Sequence, residues 1–221
     1  MHAVPPAFCQ NSINTGDTSF NYAKEYFNNN IAANSFLYSG KEYASYNLNI
    51  KGNPFLEPGT MSTGTVFYDG HLYESVPMLY DITRQLIVID RYHDNPRITL
   101  LNEKIKYFTI YGHLFQNIHA ENGNSFYDIA YNGVAGVWIK RIKVVRKAIH
   151  AEDPDTFTEL DEFYIKKGSS LFAVTNKSSA LQAFDDKKNQ LKIFIRKKKL
   201  KFKKNIEQDL VDIASFYSSL P

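Results

Sequence analysis

Cysteine is nearly absent from this sequence: Cys9 is the only one in 221 residues. A lone thiol cannot build an intramolecular disulfide framework, and it cannot supply the several thiolates of a Cys-based zinc site. A reducing and an oxidising compartment both suit such a chain, because no second cysteine is present to misoxidise. Cysteine usage alone therefore leaves the compartment open.

Long hydrophobic runs are absent as well. No stretch approaches the ~18–20 apolar residues of a membrane-spanning helix. No phosphate loop, nucleophile elbow or paired-histidine zinc motif is present. His113 and His119 would share one face of a strand, but ~20 Å would separate them, which is too far for one metal ion. We assign no catalytic, cofactor-binding or metal-binding residue, and we expect no cofactor.

Carboxylates near strand ends keep an enzymatic alternative open. Asp69, Glu74, Asp81 and Asp90 could line one rim of a sheet and act as general acids or bases. Asp69 is better explained as a turn residue, because aspartate tolerates the positive φ of a tight hairpin. An enzyme with dispersed carboxylates is the third of three functional hypotheses.

The N-terminus lacks a charged region and an apolar core, yet it ends like a signal peptide. Ala7 and Cys9 occupy the −3 and −1 positions of a predicted cleavage before Gln10. We interpret residues 1–19 as a signal-peptide remnant and a flexible lead-in. An N-terminal cytosolic tail is the alternative.

Aromatic residues are abundant, with 15 Tyr and 16 Phe against one Trp, and this composition favours strands. Hairpin signals occur at Asp69-Gly70, Asn132-Gly133 and Lys167-Gly168. They predict a mainly β (α+β) fold: an antiparallel meander of about eight to ten strands that closes into a barrel or a sandwich. Helical spacing adds an N-terminal helix near 20–27 and two C-terminal helices. The predicted domains are 20–176, which is β-rich, and 177–221, a basic helical subdomain packed on it.

Tyrosines provide a second functional hypothesis. An aromatic-lined cavity of a barrel or sandwich could hold a small apolar or glycan ligand, although cross-strand packing is the more common role of such rings. The candidate lining residues are Tyr68, Tyr73, Tyr80, Tyr107, Tyr111, Tyr127 and Tyr131.

Charge is concentrated near the C-terminus. Residues 177–204 contain eleven Lys or Arg and two Asp, a net charge of +9, whereas the whole chain has +3. Basic residues interleaved with Leu200 and Phe202 can bind an anionic surface, an acidic partner or, less favourably, nucleic acid. The candidate binding residues are Arg196, Lys197, Lys198, Lys199, Lys201, Lys203 and Lys204. The alternative is a solvated outer face of docked helices, which the apolar spacing of Leu191, Phe194 and Ile195 favours.

Several sequence blocks together resemble a known family. Phe36-Leu37-Tyr38-Ser39-Gly40-Lys41-Glu42-Tyr43 resembles an LYNG-x-EY box, and Ile50-Lys51-Gly52-Asn53-Pro54-Phe55 resembles an IKGHPYF box. The segment from Gly64 to Asp81 resembles GSVxYDGxLYExVPLLYD, and the C-terminal blocks 184–202 and 210–220 also correspond. The set is similar to an uncharacterised family of exported proteins from the Bacteroidota and covers roughly residues 20–220.

This resemblance implies export, to the periplasm or the cell surface, but brings no known activity or ligand. Asn53 stands where relatives often have histidine, which argues against a catalytic role at that position. The leading hypothesis is a non-enzymatic envelope protein that binds a protein partner or an anionic surface. A cytoplasmic location is the alternative.

Overall fold

The structure is a computed structural model that describes residues 37–47, 49–57, 59–90, 96–120, 123–203 and 205–221. Contacts divide the chain into two units, residues 1–37 and 38–221, and the sheets and C-terminal helices belong to the second. The predicted signal remnant and N-terminal helix lie outside the described residues.

Fourteen strands in the described ranges form two sheets. In chain order they are β1 (Lys41–Glu42), β2 (Ile50–Lys51), β3 (Ser62–Tyr68), β4 (His71–Asp81), β5 (Leu86–Ile89), β6 (Ile98–Thr99), β7 (Ile105–Ile110), β8 (His113–Ala120), β9 (Gly123–Tyr131), β10 (Gly136–Lys140), β11 (Lys143–Arg146), β12 (Asp155–Glu159), β13 (Glu162–Lys167) and β14 (Ser170–Val174). The large sheet has the order β1-β6-β5-β4-β3-β7-β8-β9-β10-β13-β14, and the small one is β11-β12-β2. The mainly β, antiparallel character predicted from the sequence is therefore confirmed.

The large sheet is not one simple meander. Strands β3 to β6 form one meander, and the chain then returns so that β7 pairs with β3 instead of β6. Asp69 and Gly70 have φ angles of 50° and 82°, the two left-handed residues that a tight β3–β4 hairpin needs. In the described part of the chain, β1 and β14 each pair on one side only, so the sheet is not closed into a barrel.

A cluster of aromatic side chains shows that this open sheet is rolled. The ring of Tyr80 on β4 lies 5.9 Å from that of Phe126 on β9, whereas four strand spacings across a flat sheet would separate them by ~19 Å. Phe108 and Phe115 fill the space between them, with centroids 5.1 and 5.0 Å from Tyr80. The concave side is thus filled with side chains where the aromatic-cavity hypothesis would need room for a ligand.

The hairpin signal at Asn132-Gly133 predicts a single strand over residues 137–145 after the turn, and this prediction is wrong in one respect. The strand breaks at Arg141 and Ile142, and its two halves belong to different sheets, β10 to the large one and β11 to the small one. The backbone N–H of Ile142 donates to the Asp161 carboxylate instead of a neighbouring strand. A side-chain acceptor at this point permits the change of sheet, and a hydrophobic pattern could not reveal it.

Helices occupy the C-terminus, as predicted, but there are three instead of two: α1 (Lys177–Ala183), α2 (Lys188–Lys198) and α3 (Ile206–Ser219). Single 3-10 turns add Asn102–Lys104 and Asp185–Lys187. Helix α3 contacts β9 and β10, α1 contacts β14, and α2 packs against the other two helices. Val137, Ile139 and Ile165 of the sheet form a common core with apolar side chains of all three helices.

No helix in the described ranges has both the length and the apolar character that crossing a membrane requires.

Candidate functional site

Helix α1 begins after Asn176, whose side chain caps the first turn. The Asn176 side chain accepts hydrogen bonds from the backbone N–H groups of Ser178 and Ser179, at 2.8 and 3.1 Å. The Ser179 hydroxyl accepts in return from the N–H of Asn176 at 3.1 Å. This reciprocal cap satisfies donors that a helix terminus otherwise leaves unpaired. It sets the position of Lys177, the first residue of the helix.

The helical period places Leu191 and Ile195 on the buried face of α2 and the basic residues on its exposed face. Leu191 and Ile195 are buried, and the ring of Phe194 stacks on Phe216 of α3 with centroids 4.2 Å apart. Lys192 and Arg196 lie one turn apart on the exposed side. The segment is therefore an outer layer, held by apolar contacts with α1 and α3 and basic toward solvent.

A groove of about 470 Å³ lies between α1 and α2. Its basic lining residues are Lys177, Lys192, Arg196 and Lys199, and its apolar lining residues are Leu181, Ile193, Ile195 and Leu200. None of the described residues that line the groove is a carboxylate. The side chain of Ile193 is exposed, and Ile195 is buried at the base. The arrangement suits a ligand that combines negative charge with an apolar portion.

The groove cations differ from neighbouring lysines in their ion pairing. Within the described residues, neither Lys177, Lys192, Arg196 nor Lys199 forms an ion pair, whereas neighbouring lysines do. Lys167 pairs with Asp186 at 2.7 Å, and Lys188 approaches Asp185 at 3.8 Å. Mutually repelling charges collected at one groove raise the local positive potential, which attracts anionic groups.

Lys199 occupies a backbone position that normally favours glycine. It ends α2 with φ 58° and ψ 35°, the left-handed conformation, which costs a residue with a Cβ roughly 1 kcal/mol. Its N–H donates to the Arg196 carbonyl at 3.3 Å, and the N–H of Leu200 donates to that of Ile195 at 3.1 Å. A lysine at this position contributes a cation to the groove at some expense in stability.

The loop after α2 is held by a buried carboxylate. Asp209, in the first turn of α3, accepts the backbone N–H groups of Lys201 and Phe202 at 3.2 and 2.8 Å. Phe202 is in the left-handed region with φ 56° and packs against the helical core. These two bonds hold the backbone at residues 201 and 202, where the side chains of Lys201 and the nearby Lys203 are exposed.

The structure divides the seven predicted binding residues. Arg196 and Lys199 line the groove, whereas Lys197, Lys198, Lys201 and Lys203 are exposed outside it. Lys204 lies outside the described residues.

Sequence reasoning missed two groove lysines, for different reasons. The spacing of 192, 196 and 199 along a helix could have revealed Lys192. Only the packing of α1 against α2 brings Lys177 to the site.

The carboxylates considered for catalysis are not brought together at one rim. Asp69 and Asp81 lie at opposite ends of β4, and Asp69 pairs with Lys104 at 2.8 Å. Asp81 is fully buried and accepts hydrogen bonds from four groups, the hydroxyls of Tyr43 and Tyr46 and the backbone N–H groups of Thr83 and Arg84. Its role in this structure is therefore to hold these segments together. Among the described residues, no group of three or more side chains is arranged to hold a metal ion.

A second cluster of charges surrounds Arg141 and is fully paired. The Arg141 guanidinium donates to Asp128 at 2.7 Å, and to Asp161 and Glu207 at 2.9 Å each. Asp128 has a side chain only 2% exposed, and it also accepts from Nδ1 of His113 at 2.8 Å. This hydrogen bond, which outweighs the opposing effect of burial, raises the pKa of His113. Since Glu207 belongs to α3, the cluster fastens that helix to the sheet.

Comparisons with family models, with curated proteins and with solved structures find no match.

Proposed function

We propose that this protein is a non-enzymatic binding module whose groove between α1 and α2 takes an acidic, partly apolar segment of a partner protein. One observation carries the proposal: four cations surround an apolar floor in a concave site, and among the described residues they have no ion-pair partner and the lining has no carboxylate. Solvated lysines are common on helix surfaces. Here, however, they surround two apolar side chains, the exposed Ile193 and the buried Ile195.

Shape favours a polypeptide segment over a flat anionic surface. A bilayer would contact the protruding lysines but would leave the floor at Ile195 and Leu181 unfilled. A segment with alternating acidic and apolar side chains can place apolar groups in the groove and carboxylates beside the cations. Such pairing steers encounter and weakens with salt.

Location is part of the same proposal. The small residues before Gln10 and the resemblance to exported proteins support a role in the cell envelope, at the periplasm or surface. We propose that the rolled sheet is sandwich-like and that it serves as a scaffold for the helical layer; the aromatic core between its strands supports this arrangement. Nucleic acid is the less favoured partner in that compartment.

Site-specific photocrosslinking tests the proposal directly. The change is Ile193→p-benzoylphenylalanine, made in the full chain expressed in its own host, and the matched control is the same probe at Leu72, an exposed leucine on β4. The crosslinked residue of the partner is identified by mass spectrometry. A synthetic peptide of that segment is then titrated against the wild-type protein and the Lys192→Glu/Arg196→Glu variant.

Support requires a crosslink from position 193, absent from position 72, that maps to an acidic segment with apolar residues. The peptide should lose at least about tenfold in affinity in the double variant, and it should bind more weakly as salt rises. A crosslinked segment without acidic residues would overturn the proposal. So would sedimentation with phosphatidylglycerol vesicles, but not phosphatidylcholine vesicles, in the absence of any position-193 crosslink.

A further inference from the structure

A second concave site lies beside the small sheet and shares no lining residue with the groove. It is a cleft of about 270 Å³. Its aromatic lining residues are Tyr43, Tyr46, Phe55 and Phe157. Its polar lining residues are Ser45, Asn47, Asn53 and Arg97. Pockets for drug-sized ligands begin at about 300 Å³, so this volume suits a ligand of one ring.

The aromatic walls are held from behind by Asp81. This buried carboxylate accepts the hydroxyl groups of Tyr43 and Tyr46, each at 3.0 Å to Oδ2. Burial, together with the negative charge of Asp81, raises the pKa of both tyrosines, so they remain neutral donors. Their hydroxyl groups point to Asp81 and both rings line the cleft, with one face of Tyr46 covered by Arg84. A ligand would therefore meet preorganised aromatic walls.

The orientation of the rings discriminates between planar and saturated ligands. Tyr46 and Phe157 are nearly perpendicular, with an interplanar angle of 83° and centroids 5.2 Å apart. Tyr43 and Phe55 are tilted by 40° at 6.3 Å. Neither pair forms a parallel slot for a nucleobase, which stacks face to face. A saturated ring can instead direct C–H groups at one aromatic face and hydroxyl groups at the rim.

Hydrogen-bond donors are available at that rim. The side-chain oxygens of Asn47 and Asn53 accept from the backbone N–H groups of Asn49 and Phe55, at 3.1 and 3.0 Å. Their oxygens are thereby fixed, and the amide NH₂ groups have no partner within the described residues. Donors of this kind suit the acceptor oxygens of a sugar.

Arg97 places a cation at the rim, in an exposed ion pair. Arg97 lines the cleft, which contains no carboxylate among its lining residues, and its guanidinium meets Asp90 at 3.3 Å with both side chains about half exposed. An exposed ion pair of this kind contributes at most about 1 kcal/mol, so a ligand carboxylate can replace Asp90. The guanidinium of Arg84 is already engaged, since it covers one face of the Tyr46 ring at 3.8 Å and donates to the Ala44 carbonyl. Arg97 is therefore the cation that the lining offers to a ligand.

We propose that this cleft binds an acidic pyranose, a uronic acid of a glycan, with the sugar ring against the aromatic walls and its carboxylate at Arg97. The site is separate from the basic groove, and either proposal can fail without the other.

The test uses saturation-transfer NMR with the full chain. The probes are a tetrasaccharide of galacturonic acid and, for comparison, a neutral glucose tetrasaccharide. Phe157→Leu removes one aromatic wall and retains apolar volume. Phe172→Leu is the matched control, since Phe172 is an exposed ring on β14. Arg97→Gln removes only the rim charge. Urea unfolding of each variant verifies that it is folded.

The expected result is signal from the acidic tetrasaccharide that disappears in Phe157→Leu and persists in Phe172→Leu. Arg97→Gln should weaken the acidic probe at least about tenfold and bring its affinity to that of the neutral probe. Equal binding of both probes by the wild-type protein, or acidic binding unaffected by Arg97→Gln, would overturn the assignment. Absence of signal at millimolar probe would overturn it entirely.

Discussion

The groove between α1 and α2 and the cluster around Arg141 both gather charged side chains at a helix, but with opposite arrangements. At Arg141, one guanidinium meets three carboxylates, and the side chains of Arg141 and Asp128 are 12% and 2% exposed. At the groove, four cations are lined up without any carboxylate among the lining residues.

This difference separates charges that hold the fold together from charges that remain available. A buried charge must be paired, because leaving it unpaired is expensive. An exposed charge needs no partner in the folded chain, and removing it changes stability little. Substitutions in the Arg141 cluster should therefore lower stability, whereas substitutions in the groove should weaken binding.

The largest effect is expected at Arg141. Arg141→Met leaves Asp128 buried with only His113 as a charged partner, and the variant should lose about 3–5 kcal/mol of unfolding free energy. Arg196→Met is the matched control and should stay within about 0.5 kcal/mol of wild type. Urea denaturation measures both. Equal losses in the two variants would refute the distinction between the regions.

A smaller loss is expected at Asp209, a buried carboxylate beneath the basic loop. Asp209→Ala removes the acceptor of two backbone N–H groups, and it should cost about 1–3 kcal/mol. Asp212→Ala, one turn further along α3, breaks only a contact with Gln208 on the helix surface, so it should be nearly neutral. Amide hydrogen exchange at Lys201 and Phe202 should rise in the first variant and not in the second.

His113 should give the Arg141 cluster a dependence on pH. Its pKa is raised in the folded state above the unfolded value of about 6.5. The stability it contributes is therefore complete below that value and is lost as pH rises through the folded-state pKa. Discounted for the partial exposure of the ring, the contribution is below about 1 kcal/mol.

Comparison with His113→Gln isolates this contribution. The difference in unfolding free energy between wild type and variant should shrink from about pH 5.5 to about pH 8.5. A difference that grows over the same interval would contradict the sign of the shift. His71→Gln is a control, because His71 is bonded to a backbone carbonyl instead of a carboxylate.

An effect as small as that of His113 is expected at Lys199, and substitution there should raise stability instead of lowering it. Lys199→Gly removes the Cβ from a left-handed position and should raise stability by roughly 0.5–1 kcal/mol. The same change should weaken binding of the partner segment that crosslinks to position 193, because the groove loses a cation. Lys198→Gly, in the last turn of α2, should lower stability by a similar amount. Increased stability without weaker binding would show that Lys199 has no part in the groove.

Patterning in the sequence predicted much of this fold because local chemistry governed those elements. Asp69-Gly70 specified a hairpin through its backbone conformation, and Leu191 and Ile195 marked the buried side of α2. The cap at Asn176 that begins α1 was not predicted, because asparagine and serine also serve as ordinary loop residues. The break at Arg141 could not be anticipated, since its carboxylate partners come from distant positions in the chain.

The candidate sites were predicted only in part for the same reason. A run of basic residues identified Arg196 and Lys199, but it ranked them equally with lysines that lie outside the groove. Lys177 reaches the site through helix packing, and the aromatic cleft combines Tyr43, Tyr46 and Phe157 from segments more than a hundred residues apart. The tyrosines proposed from strand patterning include Tyr68 and Tyr80, which are buried in the core.

By itself, the sequence determined the mainly β class, the hairpin turns, the helical C-terminus and the concentration of positive charge there, because each depends on neighbours along the chain. The tertiary structure decided that the sheet rolls without closing, which charges are paired, and where concave sites form. Those properties depend on side chains that are distant in sequence and become neighbours only when the sheet curls and the helices pack.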